Sequence, residues 1–114
     1  MTTVDEDDVF FIKQGDLEPP LDLEVSGSSG DLNDVDSWTV IGSRNGEVVF
    51  EDTAADFTIG ATPQSGVVRH VWVAGETDDL GSMDIETKAI WPGNRPQTFP
   101  PRNYCRVVVS RSLP

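Results

Sequence analysis

The chain has little cysteine and histidine, and these shortages remove several classes of site. Its 114 residues include one cysteine, Cys105, and one histidine, His70. A single cysteine excludes an internal disulfide and any zinc site that takes two or four cysteines from one chain. Cys105 follows Tyr104 and opens a valine-rich segment, so we expect it to be buried and inert. His70 lies within a β-prone run, where we expect a packed or edge-exposed structural histidine.

Motifs for catalysis and phosphate binding are also missing. The chain contains no Gly-x-Ser-x-Gly, no phosphate-binding glycine loop and no histidine spacing that suits a metal. Acid–base and nucleophilic catalysis need convergent groups, usually with a histidine or paired carboxylates, and carboxylates are too numerous here for any pair to be informative. We therefore expect a protein that is not an enzyme, without cofactor or metal. The oxygen-rich segment Asp31–Asp36 is a solvated loop or a calcium site, although it lacks the EF-hand glycine and glutamate.

Long apolar runs and a secretory leader are absent from the sequence as well. No run approaches the roughly 18 apolar residues of a membrane span. The start, Met1–Asp8, has neither the basic residues nor the apolar stretch of a secretory signal. We expect a soluble protein that is made in the cytoplasm and has no membrane partner.

Positive charge is scarce. Twenty acidic residues stand against eight basic ones, of which only Lys13 and Lys88 are lysines, and the net charge is −12. This balance argues against binding a nucleic-acid backbone. Ordinary acidic solubility explains it, and so does adaptation to high salt, because molar salt shortens the screening length to about 3 Å. The second explanation predicts a loss of stability in low salt, and a thermal midpoint that is independent of molar KCl would exclude it.

Short β-prone segments separated by turn signals make up most of the chain. Turn residues recur roughly every 8–12 positions, and apolar residues nowhere keep helical spacing over three turns. This pattern predicts an all-β domain, a sandwich or a barrel, over residues 9–114. Residues 1–8 are acidic and are expected to form a flexible arm. The predicted strands cover residues 9–13, 21–25, 38–44, 47–51, 54–59, 67–73, 82–91 and 104–110.

The most specific local signal is Asn45-Gly46 between two strand-like segments. A type I′ turn needs positive φ at both central residues, and Asn-Gly satisfies that requirement, so we predict a hairpin here. Alternation also assigns faces. In residues 82–91 the alternate residues from Met83 to Trp91 are expected to form the buried face near the start of the strand. In residues 67–73 alternation allows burial either of the face with Val68, His70 and Trp72 or of the opposite face.

The order of these signals resembles a known family. The opening Phe11-Ile12-Lys13-Gln14-Gly15-Asp16, with Pro19-Pro20-Leu21, resembles the start of the N-terminal immunoglobulin-like domain of phage baseplate upper proteins. Further segments match that family in the same order. They are Trp38-Thr39-Val40, Asn45-Gly46-Glu47-Val48-Val49, Gly66 to Trp72, Gly75-Glu76-Thr77 with Gly81, and Gln97-Thr98-Phe99-Pro100 with Tyr104. The chain departs from the family pattern at His70, Glu76 and Met83, where the family often has tyrosine, aspartate and an aromatic residue.

The resemblance implies a fold and a function. The implied fold is a single immunoglobulin-like antiparallel β-sandwich. The implied function is a structural virion protein, a tail or baseplate module of a tailed virus that binds other virion proteins in symmetric copies. The acidic, lysine-poor composition then favours a haloarchaeal host. A capsid decoration protein and an exterior glycan- or receptor-binding module remain alternatives. Family members often carry further C-terminal segments, and we expect this chain to be the module alone.

Five residues are candidates for contact with a partner. Side chains alternate along a strand, so one of Phe10 and Phe11 is expected to face the core and the other a partner. Trp91 precedes Pro92 at a strand end and is expected to be the most exposed tryptophan. Trp91 and Tyr104 are also the candidates for stacking on a sugar. Arg111 belongs to the C-terminal tail, a candidate contact arm.

Overall fold

Strands form where the sequence alternates between apolar and polar residues. The computed structural model describes residues 3–4, 9–25, 28–59, 62–99 and 105–112. The strands of this part are β1 Thr3–Val4, β2 Val9–Lys13, β3 Leu21–Val25, β4 Ser37–Arg44, β5 Glu47–Asp52, β6 Asp56–Ile59, β7 Gly66–His70, β8 Gly81–Trp91, β9 Arg95–Phe99 and β10 Cys105–Ser110. A short 3₁₀ helix, Leu32–Asp34, lies between β3 and β4. Among the described residues no helix is long and apolar enough to cross a membrane.

The strands form two sheets whose order is that of an immunoglobulin-like sandwich. One sheet has the order β1-β3-β7-β6, and the other has the order β2-β10-β8-β4-β5, with β9 paired to β8. In the lettering of that fold, β3, β7 and β6 are strands B, E and D, and they face β10, β8, β4 and β5 as G, F, C and C′. The all-β sandwich predicted from the sequence is confirmed.

Two strand pairs depart from the antiparallel arrangement of the sandwich. β10 pairs with β2 in parallel, and β1 pairs with β3 in parallel. Parallel neighbours need a long crossover connection. Both pairs have such a connection. Along the chain, β1 is separated from β3 by β2, which lies in the opposite sheet, and β2 is separated from β10 by most of the domain. β1 also places Thr3–Val4, which lie within the expected arm, in a sheet; the other residues of that arm lie outside the described residues.

Turn chemistry fixes the hairpins. Asn45 and Gly46 have φ angles of 53° and 82°, so the predicted β4–β5 hairpin is confirmed. Gly93 and Asn94, with φ of 84° and 60°, turn β8 into β9, a strand that the sequence did not predict separately. The strand predicted over residues 67–73 ends at His70 in the structure.

The core lies between the sheets. Val68, His70 and Trp72 face inward, which settles the open question about that segment. The predicted buried face of β8 is confirmed, except that Trp91 at its end is half-buried, and Cys105 is buried as expected. The buried apolar residues are Phe10, Ile12, Leu21, Leu23, Val25, Leu32, Val40, Phe50, Val68, Trp72, Met83, Ile85, Ala89, Phe99, Cys105, Val107 and Val109.

Candidate functional site

The two phenylalanines of β2 face opposite ways. Phe10 is 5% exposed and contacts the Trp72 ring in the core, with ring centroids 6.3 Å apart. Phe11 is 69% exposed, the largest exposed fraction among the large apolar side chains that the structure describes. The prediction that one faces the core and the other the surface is confirmed. Phe10 is therefore removed from the candidate contact residues, because alternation along the strand commits it to packing.

Phe11 belongs to an apolar surface at the edge of its sheet, which we call the β2 patch and define as Val9, Phe11 and Val108. Val108 on β10 is aligned with Phe11, and Val9 lies two residues before Phe11 on the same face. Val9 and Phe11 are exposed and Val108 is half-buried. Among the described strands β2 has β10 as its one neighbour, so one side of its backbone is open. Open strand edges with apolar side chains are typical sites for pairing with another chain.

Basic residues border the β2 patch. Arg106 is aligned with Val9, and Lys13 is aligned with Ser110, which Arg111 follows. Arg111 is exposed, as a contact arm requires. The patch therefore adjoins three of the eight basic residues of an otherwise acidic chain. The arrangement suits a partner surface that combines apolar and acidic groups.

Trp91 lies in a different place, in an open cleft of about 670 Å³ that we call the Trp91 cleft. Its indole Nε1 donates to Gln97 Oε1 across the β8–β9 hairpin (3.1 Å). The same oxygen accepts the backbone N–H of Ser29 at 3.3 Å, which ties the loop before the 3₁₀ helix to the hairpin. The cleft is lined by Ser29, Gly30, Asp34, Trp91, Pro92, Arg95, Pro96 and Gln97.

The candidates that the structure describes do not converge on one site. Phe11 and Arg111 lie at the β2 edge, whereas Trp91 is nine residues along β8 from Ser82, the neighbour of Val108. At the rise of a strand that separation is roughly 30 Å. Tyr104 lies outside the described residues. The chain thus presents two separate surfaces, the β2 patch and the Trp91 cleft.

A polar cluster in the core escaped prediction. His70 is 2% exposed, and its Nδ1 lies 2.7 Å from Asp52 Oδ2 while its Nε2 lies 2.9 Å from Glu76 Oε1. Each ring nitrogen is thus within hydrogen-bonding distance of one carboxylate. The ring also stacks on Phe50, with centroids 4.1 Å apart. Because both nitrogens are engaged and the ring is sealed from solvent, His70 is the packed structural histidine rather than the edge-exposed one.

The remaining charged features have structural explanations. Arg69 donates to Asp22 directly across β3 and β7, at 2.8 Å from Nε and 3.1 Å from Nη2. These hydrogen bonds and the charge of Asp22 raise the pKa of Arg69, which keeps its guanidinium charged. In the acidic loop Asp31 caps the 3₁₀ helix by accepting the Asn33 N–H (2.9 Å). Within the part of the chain that the structure describes, no group of three or more histidine, cysteine, aspartate or glutamate side chains is arranged to hold a metal ion.

No protein-family model matches the chain, and no curated protein matches it either. The resemblance to the phage baseplate upper domain therefore stays a prediction from the sequence motifs.

Proposed function

We propose that this chain is a non-enzymatic structural protein of a tailed virus, a module that joins the tail or baseplate through contacts with other virion proteins. It is made in the host cytoplasm and assembled in several symmetric copies. The composition favours a halophilic archaeon as the host. Neither nucleic acid nor a membrane is a partner in this proposal.

One observation carries the assembly role, the exposed Phe11 on an open strand edge. Monomeric proteins usually protect such edges with charge, proline or bulges. Here an aromatic ring that is 69% exposed stands at the middle of the strand beside two valines. The sequence motifs that resemble a baseplate domain begin at the same strand. A partner that covers the β2 patch would account for both.

Purified virions test the proposal. We expect mass spectrometry to find the protein in washed particles of the virus that carries its gene. Electron cryomicroscopy is then expected to locate it in repeated copies on the tail or baseplate. A location on the head would favour the decoration-protein alternative instead. Absence from purified virions would contradict the structural role altogether.

A second candidate function, glycan or receptor binding, is favoured by the Trp91 cleft. Sugar stacking uses the face of an aromatic ring and leaves its N–H unused. The Trp91 N–H is already held by Gln97, so the ring is fixed in orientation inside an open cleft. Asp34 and Arg95 line the same cleft and can hydrogen-bond sugar hydroxyls.

A pair of substitutions separates the two functions. Trp91→Ala is expected to abolish glycan-array binding and to lower host adsorption if the cleft is a receptor site, whereas Phe11→Ala is expected to impair incorporation into the virion. Thermal unfolding checks that both variants are folded. Unchanged adsorption by virions that carry Trp91→Ala would exclude the receptor function.

A further inference from the structure

The sheet that carries the β2 patch has a second open edge. Its order, β2-β10-β8-β4-β5, places β2 at one end and β5 at the other, and each has one neighbour among the described strands. The two edges are of similar length, Val9–Lys13 and Glu47–Asp52. A sheet with two open edges can be extended by a second copy at either end.

The chemistry of the β5 edge is complementary to that of the β2 edge. On β5 two valines are exposed, Val48 by 63% and Val49 by 36%, and they lie between the exposed acids Glu47 and Glu51. On β2 the exposed valine and phenylalanine are followed by Lys13. One edge is thus apolar and basic and the other is apolar and acidic. Contact between unlike edges brings opposite charges together, whereas contact between like edges brings like charges together.

Strand direction also agrees with contact between unlike edges. β10 runs parallel to β2, and each following neighbour, β8, β4 and then β5, is antiparallel to the one before it. β2 and β5 therefore run in opposite directions. A copy placed beside the sheet in the same orientation brings its β2 against β5 as an antiparallel pair, the more stable ladder.

We propose that β2 of one copy pairs with β5 of the next copy and so continues the sheet from molecule to molecule. This inference rests on the proposed assembly function and names one partner, a second copy of this chain. When Phe11 lies beside Val49, the antiparallel register brings Lys13 level with Glu47, although the irregular β4–β5 pairing at Val49 turns the Glu47 side chain away from the face that carries Glu51. The same register places Val9 opposite Glu51 on that face and Phe10 opposite Phe50 on the inner face.

The contact is head-to-tail and weak in isolation. A ladder of about five residues buries much less than the roughly 1,600 Å² of a standard stable interface. The net charge of −12 per copy also opposes association in dilute buffer, and this repulsion is screened at high salt. A head-to-tail contact closes into a ring or extends as a filament. A virion scaffold that holds the copies together supplies the effective concentration that the free protein lacks.

Disulfide trapping tests the pairing and suits a weak contact. The double variant Phe11→Cys/Val49→Cys, at millimolar protein in 2 M KCl under mild oxidation, is expected to give a ladder of covalent oligomers on denaturing gels. Facing residues in an antiparallel pair can meet the distance that a disulfide requires. The wild-type chain is the first control, because its one cysteine, Cys105, is buried.

The single variants decide between pairing schemes. Phe11→Cys alone and Val49→Cys alone are expected to stay monomeric, while their mixture is expected to give a covalent dimer that does not extend further. Dimers of Phe11→Cys alone would overturn the proposal, because they require a contact between two β2 edges. The absence of a ladder for the double variant would overturn it as well.

A charge exchange gives an independent measurement. At millimolar protein and about 0.15 M salt, adding Lys13→Glu or Glu47→Lys to the Phe11→Cys/Val49→Cys variant is expected to lower the yield of covalent oligomers, and adding both is expected to restore it. Each single variant should unfold at the wild-type temperature, because both side chains are exposed. If the double exchange did not restore the yield of covalent oligomers, the register given above would be wrong. A protein found in virions but without the disulfide ladder would retain its assembly role and lose only this contact.

Discussion

Two tryptophans of this domain show opposite relations between burial and hydrogen bonding. Trp72 is 3% exposed, and its Nε1 has no hydrogen-bond partner among the described residues. Trp91 is half-buried, and its Nε1 is bound to Gln97. A buried indole usually finds a partner. Trp72 is therefore held by shape alone, through ring contacts with Phe10, Phe50 and His70, whereas Trp91 is held by a directed bond in an open cleft.

The comparison distinguishes a sealed cluster from an adjustable surface. In the sealed cluster the aromatic rings pack directly against one another, so a substitution at one ring displaces its neighbours. In the Trp91 cleft one side of the ring faces open space, and water can replace a lost contact. Equivalent substitutions in the two places are therefore expected to have unequal costs.

Replacing each tryptophan by alanine is the strongest test of the difference between the two regions. Trp72→Ala is expected to lower the free energy of unfolding by about 3–5 kcal/mol, because it opens a cavity between packed rings. Trp91→Ala is expected to cost about 1–2 kcal/mol, because only part of its surface is withdrawn from water. Urea unfolding followed by far-UV circular dichroism measures both. Equal losses would show that the cleft is as tightly packed as the core.

The polar part of the cluster gives the next largest effect. His70→Phe keeps a planar ring against Phe50 but removes the two ring nitrogens that contact the Asp52 and Glu76 carboxylates, and we expect a loss of about 2–4 kcal/mol. Glu51→Gln, on the exposed face of β5 next to Asp52, is the matched control and is expected to change stability by less than about 0.5 kcal/mol. A variant His70→Phe as stable as the wild type would mean that the two hydrogen bonds contribute nothing net.

Two glycines repeat the comparison at smaller scale. A Cβ on Gly42 would overlap the Phe50 ring, so Gly42→Ala must displace a ring that stacks on His70. We expect a loss of about 1–3 kcal/mol. A Cβ on Gly30 would lie 3.6 Å from the Trp91 ring, an ordinary contact, so Gly30→Ala should be nearly neutral. Thermal unfolding of the pair measures the difference, and a reversed order would contradict the description of the two regions.

The smallest expected effect concerns the bond that orients Trp91. Gln97→Ala removes the acceptor shared by Trp91 and Ser29, and water can replace it, so we expect a loss of about 0.5–1.5 kcal/mol. Greater freedom of the indole is expected to lower its fluorescence anisotropy in a variant that retains Trp91 as the sole tryptophan. Gln64→Ala in an exposed turn serves as the control. Unchanged anisotropy would mean that packing, not Gln97, holds the ring.

The sequence predicted the features that depend on neighbouring residues. Alternation in β2 and β8, and the Asn45-Gly46 turn, are local signals and are confirmed. The prediction from the sequence left open whether Phe10 or Phe11 is buried, although Lys13 shares a face with Phe11 and Ile12 shares a face with Phe10, which favours burial of Phe10. The parallel pairing of β2 with β10 joins residues about a hundred positions apart, for which the sequence alone gives no register.

The candidate site was predictable only in part. Phe11, Arg111 and Trp91 were identified from their positions in strands and tail, and the structure places them on the surface or beside a cleft. The partners of His70 were not predictable, because twenty carboxylates offer too many choices. The complementary β2 and β5 edges depend on which strands end up outermost, which is a property of topology rather than of any segment.

The parallel ladder between β2 and β10 has a mechanical consequence. The chain enters this ladder at Val9 and leaves it at Ser110, and because the strands are parallel these two residues lie at opposite ends. Tension applied between them loads the cross-strand hydrogen bonds together, in shear, instead of opening them one at a time. Single-molecule pulling from these two positions is expected to require a higher rupture force than pulling across the β4–β5 hairpin, whose cross-strand hydrogen bonds break one after another.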